Sequence, residues 1–255
     1  MASSNASPLA VDLDGVRKRY GGLAAVDGVS LAVAQGQTVA LVGPSGAGKT
    51  TLLRLMAGSL APDDGVVCLH GCDIGVLTPG RKLAGLVGIV AQQFDLVPNL
   101  SALQNVLAGH LGLWSLWRSL LSLVVPRDKP QAMRALERVG VADQAYQRAG
   151  LLSGGEQQRV AIARVLVQDP AVVLADEPVA SLDPARAADV LQLLTGIARE
   201  NGKTLMASMH AVELAMGHFD RLVGVRDGTV RFDAAPSAVT EAMLANLYAL
   251  DAEIA

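Results

Sequence analysis

Gly43–Thr50 reads GPSGAGKT, and these eight positions decide how the rest of the chain is read. The stretch before them, TVALVG (Thr38–Gly43), is a short apolar run that stops at a glycine, and GKTTLLRLMAGSL behind them has helical spacing. A glycine-rich loop between a strand and a helix is the context that the pattern G-x-x-x-x-G-K-[ST] requires. Gly43, Gly46 and Gly48 let the chain curl until backbone N–H groups face a phosphate, and the helix dipole adds positive potential at the same point. Lys49 is expected to reach the β- and γ-phosphates of a nucleoside triphosphate, and Thr50 to offer its hydroxyl to Mg²⁺.

A partner for that loop lies downstream in VVLADEPVASLD. Its apolar residues carry Asp176 to the C-terminal end of a strand, where ligands bind in open α/β sheets. Asp176 is expected to hold Mg²⁺ directly or through water, and Glu177 beside it to act on an attacking water as a base or by orienting it. Further strand candidates, KTLMASMH and RLVGVRDGTVRF, alternate with helical segments such as PARAADVLQLLTGIARE. Such alternation predicts an α/β fold of βαβ units around a mostly parallel sheet. From 96 to 168 the pattern turns almost wholly helical, with no convincing strand. The reading is a single domain with an α/β core over 1–95 and 169–255, a helical insert over 96–168, and a short terminal helix after Pro236.

Composition sets the limits. The chain has 255 residues, 51% of them hydrophobic and only 18% charged. That is apolar for a soluble protein and points to surface covered by a partner. A net charge of −3 argues against a general nucleic-acid binder, which carries a basic face. Cys68 and Cys72, in CLHGC with His70, make an incomplete ligand set for a metal and are read as a reduced pair. The N-terminal MASSNASPLAVDLDG has no positive n-region or apolar h-region, so a cytosolic chain is expected.

The stretch LGLWSLWRSLLSLVVP, Leu111 to Pro126, holds both tryptophans. As a helix, Leu111–Val125 would be roughly 22 Å long, short of the ~30 Å hydrocarbon core. Arg118 in its middle would be costly there. Ser115, Arg118, Ser119 and Ser122 form one polar stripe, with Trp114, Trp117 and Leu121 clustered on another side. It is not read as a membrane span; either it meets a membrane partner or its tryptophans pack within the helical insert.

A second anion-binding device follows in LLSGGEQQRVAIARVLVQDP, where Ser153-Gly154-Gly155 opens a helix and leaves N-terminal donors free. Together with the phosphate loop and the Asp-Glu strand end, LSGGE resembles the signature of the nucleotide-binding subunit of ABC transporters, and the resemblance runs over nearly the whole chain. It implies a P-loop, RecA-like core with an N-terminal antiparallel β portion and the inserted helical subdomain. It also implies a head-to-tail dimer, in which Ser153, Gly154, Gly155 and Glu156 of one copy cap the ATP held by Gly43, Ser45, Gly46, Ala47, Gly48, Lys49, Thr50 and Thr51 of the other.

Other motifs transfer one at a time. Tyr20, in VRKRYGG, resembles the aromatic that stacks on adenine. Gln92, in GIVAQQFDLVP, resembles the glutamine that senses Mg²⁺ and water, and it is preferred over Gln93 by its spacing to Leu-x-Pro. Asp183 in SLDP resembles the aspartate that communicates across the dimer. His210 in ASMH resembles the histidine that contacts the γ-phosphate. This chain has Glu156 where the common form has Gln, and Ala211 where many members have Asp. Neither change removes a group that bonds phosphate or water, so activity is expected to survive.

Within the family, QQFDLVPNLSALQNVLAGHLG, the Trp-Arg insert and ADEPVASLDP resemble ATPases of phosphonate-type importers. The implied role is an ATPase dimer, peripheral at the cytoplasmic face of the membrane, with ATP and Mg²⁺ as cofactors. It would serve two membrane-spanning permease subunits and, indirectly, a substrate-binding protein. Two alternatives are the ATPase of another ABC importer or exporter and a soluble ABC-type ATPase of DNA repair or translation. One phosphate loop, one signature and no heptad run count against the last.

Overall fold

The computed structural model describes residues 8–78, 80–92, 94–113, 128–180 and 182–249. Expectations for Gln93, and for the part of the hydrophobic insert that holds Trp114, Trp117, Arg118 and Leu121, lie outside these residues.

The apolar run before the phosphate loop forms β3 (Thr38–Val42), buried along its whole length. It pairs in parallel with β8 (Thr204–Met209) on one side and β9 (Arg221–Arg226) on the other. β7 (Val172–Asp176) and β6 (Val87–Val90) extend the sheet beyond β8, and β10 (Thr229–Ala234) closes the far edge antiparallel to β9. The resulting order is β10-β9-β3-β8-β7-β6. Strands covered on both faces need no polar alternation, which is why these segments read as continuous apolar runs.

Successive side chains of the central strands nonetheless divide between two cores. Val39 and Leu41 of β3, with Leu174 and Met206, pack on helix α1 (Lys49–Met56) and on a second sheet. That sheet is antiparallel, in the order β2-β1-β4-β5, built from β1 (Leu9–Tyr20), β2 (Leu23–Ala34), β4 (Asp64–Leu69) and β5 (Cys72–Asp73). Ala40 and Val42, with Ala175 and Ala207, face the opposite core.

Between 96 and 168 the regular elements among the described residues are helices: α3 (Ala102–Leu107), α4 (Lys129–Arg138) and α5 (Gly154–Gln168), with short 3-10 turns. One isolated antiparallel bridge, Ser101 with Arg148, is the exception. These helices have no core of their own. Val106, Leu136 and Val160 lie in the same contiguous cluster as Val42 and Leu205. The remaining helices are α2 (Arg81–Leu86), α6 (Pro184–Glu200), α7 (Val212–His218) and the terminal α8 (Glu241–Tyr248). Among the described residues, no helix is long and apolar enough to cross a membrane.

The β4–β5 hairpin separates its two sulfurs. Cys68 is opposite Asp73, whereas Cys72 is opposite Leu69. Cross-strand partners share a face and neighbours along a strand do not, so the two side chains leave opposite faces of the ribbon. Both cysteines are free, and no three-residue metal cluster occurs among the described residues.

Candidate active site

Each central strand delivers one functional group at its C-terminal end. β3 runs into the phosphate loop, β7 ends at Asp176, and His210 follows β8. Close backbone approaches shape the loop. A Cβ on Gly43 would sit 2.0 Å from the Val225 carbonyl oxygen, and one on Gly48 would sit 2.2 Å from that of Ala25. The Gly228 N–H donates to the Ala47 carbonyl at 3.1 Å, tying the β9–β10 turn to the loop. The loop is thus wedged between β2 and β9, and glycine is required where it touches them.

Lys49 is the first residue of α1 and only 5% exposed. Its ammonium donates to the carbonyls of Gly43 at 2.7 Å and Pro44 at 2.9 Å, bracing the loop from within. Burial holds this amine below the ordinary lysine range, against the opposing attraction of the Glu177 and Asp176 carboxylates. The Thr50 hydroxyl donates to Asp176 Oδ1 at 3.0 Å, joining the phosphate loop to the β7 strand end.

Glu177 has a backbone φ of +47°, in the left-handed region that costs a branched or long side chain energy. That turn swings its carboxylate between two neighbours. Gln92 Nε2 donates to Glu177 Oε2 at 3.0 Å, and His210 Nε2 lies 2.5 Å from Glu177 Oε1. Lys49, Thr50, Asp176, Glu177, Gln92 and His210 therefore form one connected cluster. Such an arrangement can hold a phosphate on backbone and ammonium donors while a carboxylate is aimed at a water beside it.

Outside the loop, the other expected side chains make no hydrogen bond to this cluster among the described residues. Tyr20 ends β1 and is 49% exposed. Asp183 is exposed and caps α6, accepting from the Arg186 N–H at 3.1 Å. Ser153 caps α5 in a reciprocal box with Glu156. The Ser153 N–H and hydroxyl donate to Glu156 Oε2 at 2.8 and 2.7 Å, which holds that carboxyl below its usual range. Glu156 can thus accept for the cap as the commoner glutamine would, with a full negative charge added. Among the described residues, no hydrogen bond or ion pair links Tyr20, Asp183 or Ser153 to the phosphate loop or to Glu177.

One member of the cluster escapes sequence reading. Ser208, on β8 and fully buried, donates to Asp176 Oδ1 at 2.7 Å and accepts the Glu177 N–H at 2.8 Å. Its only signal is a serine inside the apolar run LMASM, two residues before His210.

Known proteins resemble this chain in sequence and in fold. The description "ABC transporter" belongs to the family profile matching residues 26–180. The chain is 47% identical over 251 residues to the phosphonates import ATP-binding protein PhnC of Pseudomonas putida, covering 98% of this chain and 92% of that one. It is 42% identical over 252 residues to the phosphonates import ATP-binding protein PhnC 1 of a Nostoc species, covering 97% and 95%. Among solved structures, the dimeric post-hydrolysis state of the ATP-binding cassette MJ0796 bound to ADP and Pi superimposes with a TM-score of 0.77. That match has 30% identity and covers 89% of this chain and 98% of that chain.

Proposed function

The chain belongs to the ABC transporter family, and on that premise we propose that it is the ATP-hydrolysing subunit of an importer whose cargo is a phosphonate, phosphite or hypophosphite. The observation that carries the hydrolytic part is the clamped carboxylate: Glu177 is held by Gln92 and His210 one residue from Asp176, which is bonded to Thr50 of the phosphate loop. In this reading Glu177 orients and deprotonates the attacking water. Lys49 and His210 stabilise charge on the γ-phosphate, and the backbone amides of Gly46, Ala47 and Gly48 cradle the phosphates. Ser45 and Thr51 complete the loop's contacts, and Tyr20 stacks on adenine.

The donor set fits Mg²⁺. The Thr50 hydroxyl and Asp176 carboxylate are hard oxygen donors held 3.0 Å apart, with the Gln92 side chain nearby on Glu177. When bound, that cation would neutralise charge on the β- and γ-phosphates.

Because the Ser153–Glu156 turn makes no bond to its own phosphate loop among the described residues, the two anion-binding devices are read as halves of a shared site. Two copies pair head to tail, with Ser153, Gly154, Gly155 and Glu156 of one over the phosphate loop of the other, and Asp183 passing the change between them. ATP draws the pair together and hydrolysis releases it. The motion is passed near Gln92 to two permease subunits at the cytoplasmic face of the membrane, which receive cargo from a substrate-binding protein. The names of the relatives support phosphonate as the cargo, and phosphite and hypophosphite enter as its inorganic relatives.

The test is growth of a strain lacking this protein on methylphosphonate, phosphite, hypophosphite or orthophosphate as sole phosphorus source. Rescue is attempted with wild type and with Lys49→Ala. Failure confined to a reduced-phosphorus compound and rescued by wild type alone is the expected result. Equal growth on all four, with no redundant transporter present, overturns the cargo assignment and leaves the hydrolytic reading to the Glu177 variants below.

A further inference from the structure

Asp176 and Ser208 are register partners across the parallel β7–β8 pair. Ser208 has one hydroxyl proton and gives it to Asp176 Oδ1 at 2.7 Å, while a lone pair of the same oxygen takes the Glu177 N–H at 2.8 Å. Both capacities are spent on the two acidic residues of the site, in a position with no solvent exposure. Asp176 Oδ1 receives a second donor from Thr50 at 3.0 Å, and no hydrogen bond to Oδ2 occurs among the described residues. The carboxylate is therefore pinned through one oxygen and turned so that the other is available to a cation. On the backbone side, the bond to the Glu177 N–H fixes the amide of a residue whose φ of +47° would relax if it were free.

We propose that Ser208 is a positioning residue of the hydrolytic site, a single hydroxyl that couples the orientation of the Asp176 carboxylate to the left-handed turn presenting Glu177. The inference rests on the reading of Asp176 and Glu177 given above and adds a third residue to that pair. Ser208 itself touches neither nucleotide nor water in this scheme. Its loss should misplace Glu177 while leaving the phosphate loop, and hence ATP capture, largely as it was.

The experiment uses the full-length chain with Ser208→Ala, Ser208→Cys and Ser208→Thr. Hydrogen exchange at the Glu177 amide reads the link directly and does not depend on turnover. In the Ala variant that amide should exchange at least about tenfold faster, because its buried acceptor is gone. In steady-state hydrolysis kcat should fall at least about tenfold with the KM for ATP within about threefold, the pattern of a group acting after binding. The half-saturating Mg²⁺ concentration should rise. Ser208→Thr keeps the hydroxyl and should restore exchange and kcat toward wild type. Ser208→Cys keeps the volume with a weak donor and acceptor and should follow Ala, so it serves if the Ala variant does not fold. Exchange and kcat within about twofold of wild type in a folded Ala or Cys variant overturn the proposal. Glu177→Gln is measured alongside. Wild-type turnover in that variant would remove the hydrolytic reading, whereas the exchange result at Glu177 would still judge the Ser208 link.

Discussion

The phosphate loop makes a quantitative distinction between two of its glycines, Gly46 and Gly48. Gly46 has a φ of +79° and nothing within 4 Å of a built Cβ, so Gly46→Ala meets backbone strain alone. An L residue in the left-handed region costs about 1–2 kcal/mol. Gly48 has a φ of +103° and its Cβ would sit 2.2 Å from the Ala25 carbonyl oxygen. Ala25 belongs to β2, which is paired along its length with β1, and its carbonyl cannot swing aside as a side-chain tip can. Restoring the 3.4 Å of ordinary contact requires 3.4 − 2.2 = 1.2 Å of movement by the loop or the strand. Overpacking of this kind costs about 1–3 kcal/mol beyond the strain. Each 1 kcal/mol shifts the melting temperature by roughly 2–4 °C in a domain of about this size. Gly48→Ala should therefore melt about 2–12 °C below Gly46→Ala, read by thermal unfolding of both variants beside wild type. Because the loop must also move by about an ångström, turnover in Gly48→Ala should fall by on the order of 100-fold. Equal melting temperatures for the two variants would refute the claim that contact with β2, and not φ alone, dictates Gly48.

Lys49→Ala should lose ATP binding measured by equilibrium titration and all detectable hydrolysis, and normal turnover would remove the phosphate-loop assignment. Glu177→Gln should bind ATP but fail to hydrolyse it, accumulating a dimer on size-exclusion chromatography with ATP; a persistent monomer counts against the shared site. Asp220 accepts from the Thr38 N–H at 3.0 Å and hydroxyl at 2.7 Å, so Asp220→Ala leaves donors of a fully buried residue unpaired and should cost about 1–3 kcal/mol in urea unfolding. Burial alone would raise the Asp220 carboxyl, but Thr38 and Arg199 together hold it below its ordinary value. A carboxyl lowered in the folded state contributes stability above its unfolded pKa and loses it as pH falls through the folded value, so the gap between wild type and Asp220→Ala should be full at neutral pH and narrow below about pH 4.

The parts of the site legible in sequence are those carried by local context. A lysine after a glycine-rich turn, an acidic pair after an apolar run and a serine opening a helix each declare a position relative to one element, and the structure places Lys49, Asp176 and Glu177 near one another. What local context cannot give is register between strands distant in the chain. Ser208 is invisible as a functional residue until β8 is laid beside β7, because helix α6 intervenes and nothing in either strand states which residues face each other. The same holds for the glycines: the pattern marks Gly43 and Gly48, but the carbonyls that demand them, Val225 and Ala25, come from opposite ends of the chain. Asp183 shows the converse, since within one chain its visible work is to cap α6, a role any N-terminal aspartate can fill.

The hydrogen bonds of the site also bear on where the driving force for closure can come from. The Lys49 ammonium already donates to two carbonyls, and the Ser153 hydroxyl to Glu156. A phosphate that recruits the Ser153 hydroxyl must displace an acceptor that is already well placed, and one hydrogen bond exchanged for another yields little net free energy, while Lys49 has only the third of its N–H donors left to offer. The larger gains lie in groups whose donors are fixed by the backbone, namely the amides of the phosphate loop and the opening turn of α5, where the helix dipole adds to them. Those two sets sit on different elements, with no hydrogen bond between them among the described residues. ATP can then favour a closed pair only to the extent that closure brings both sets onto the same phosphates, since a ligand shifts an equilibrium solely by its difference in affinity for the two states.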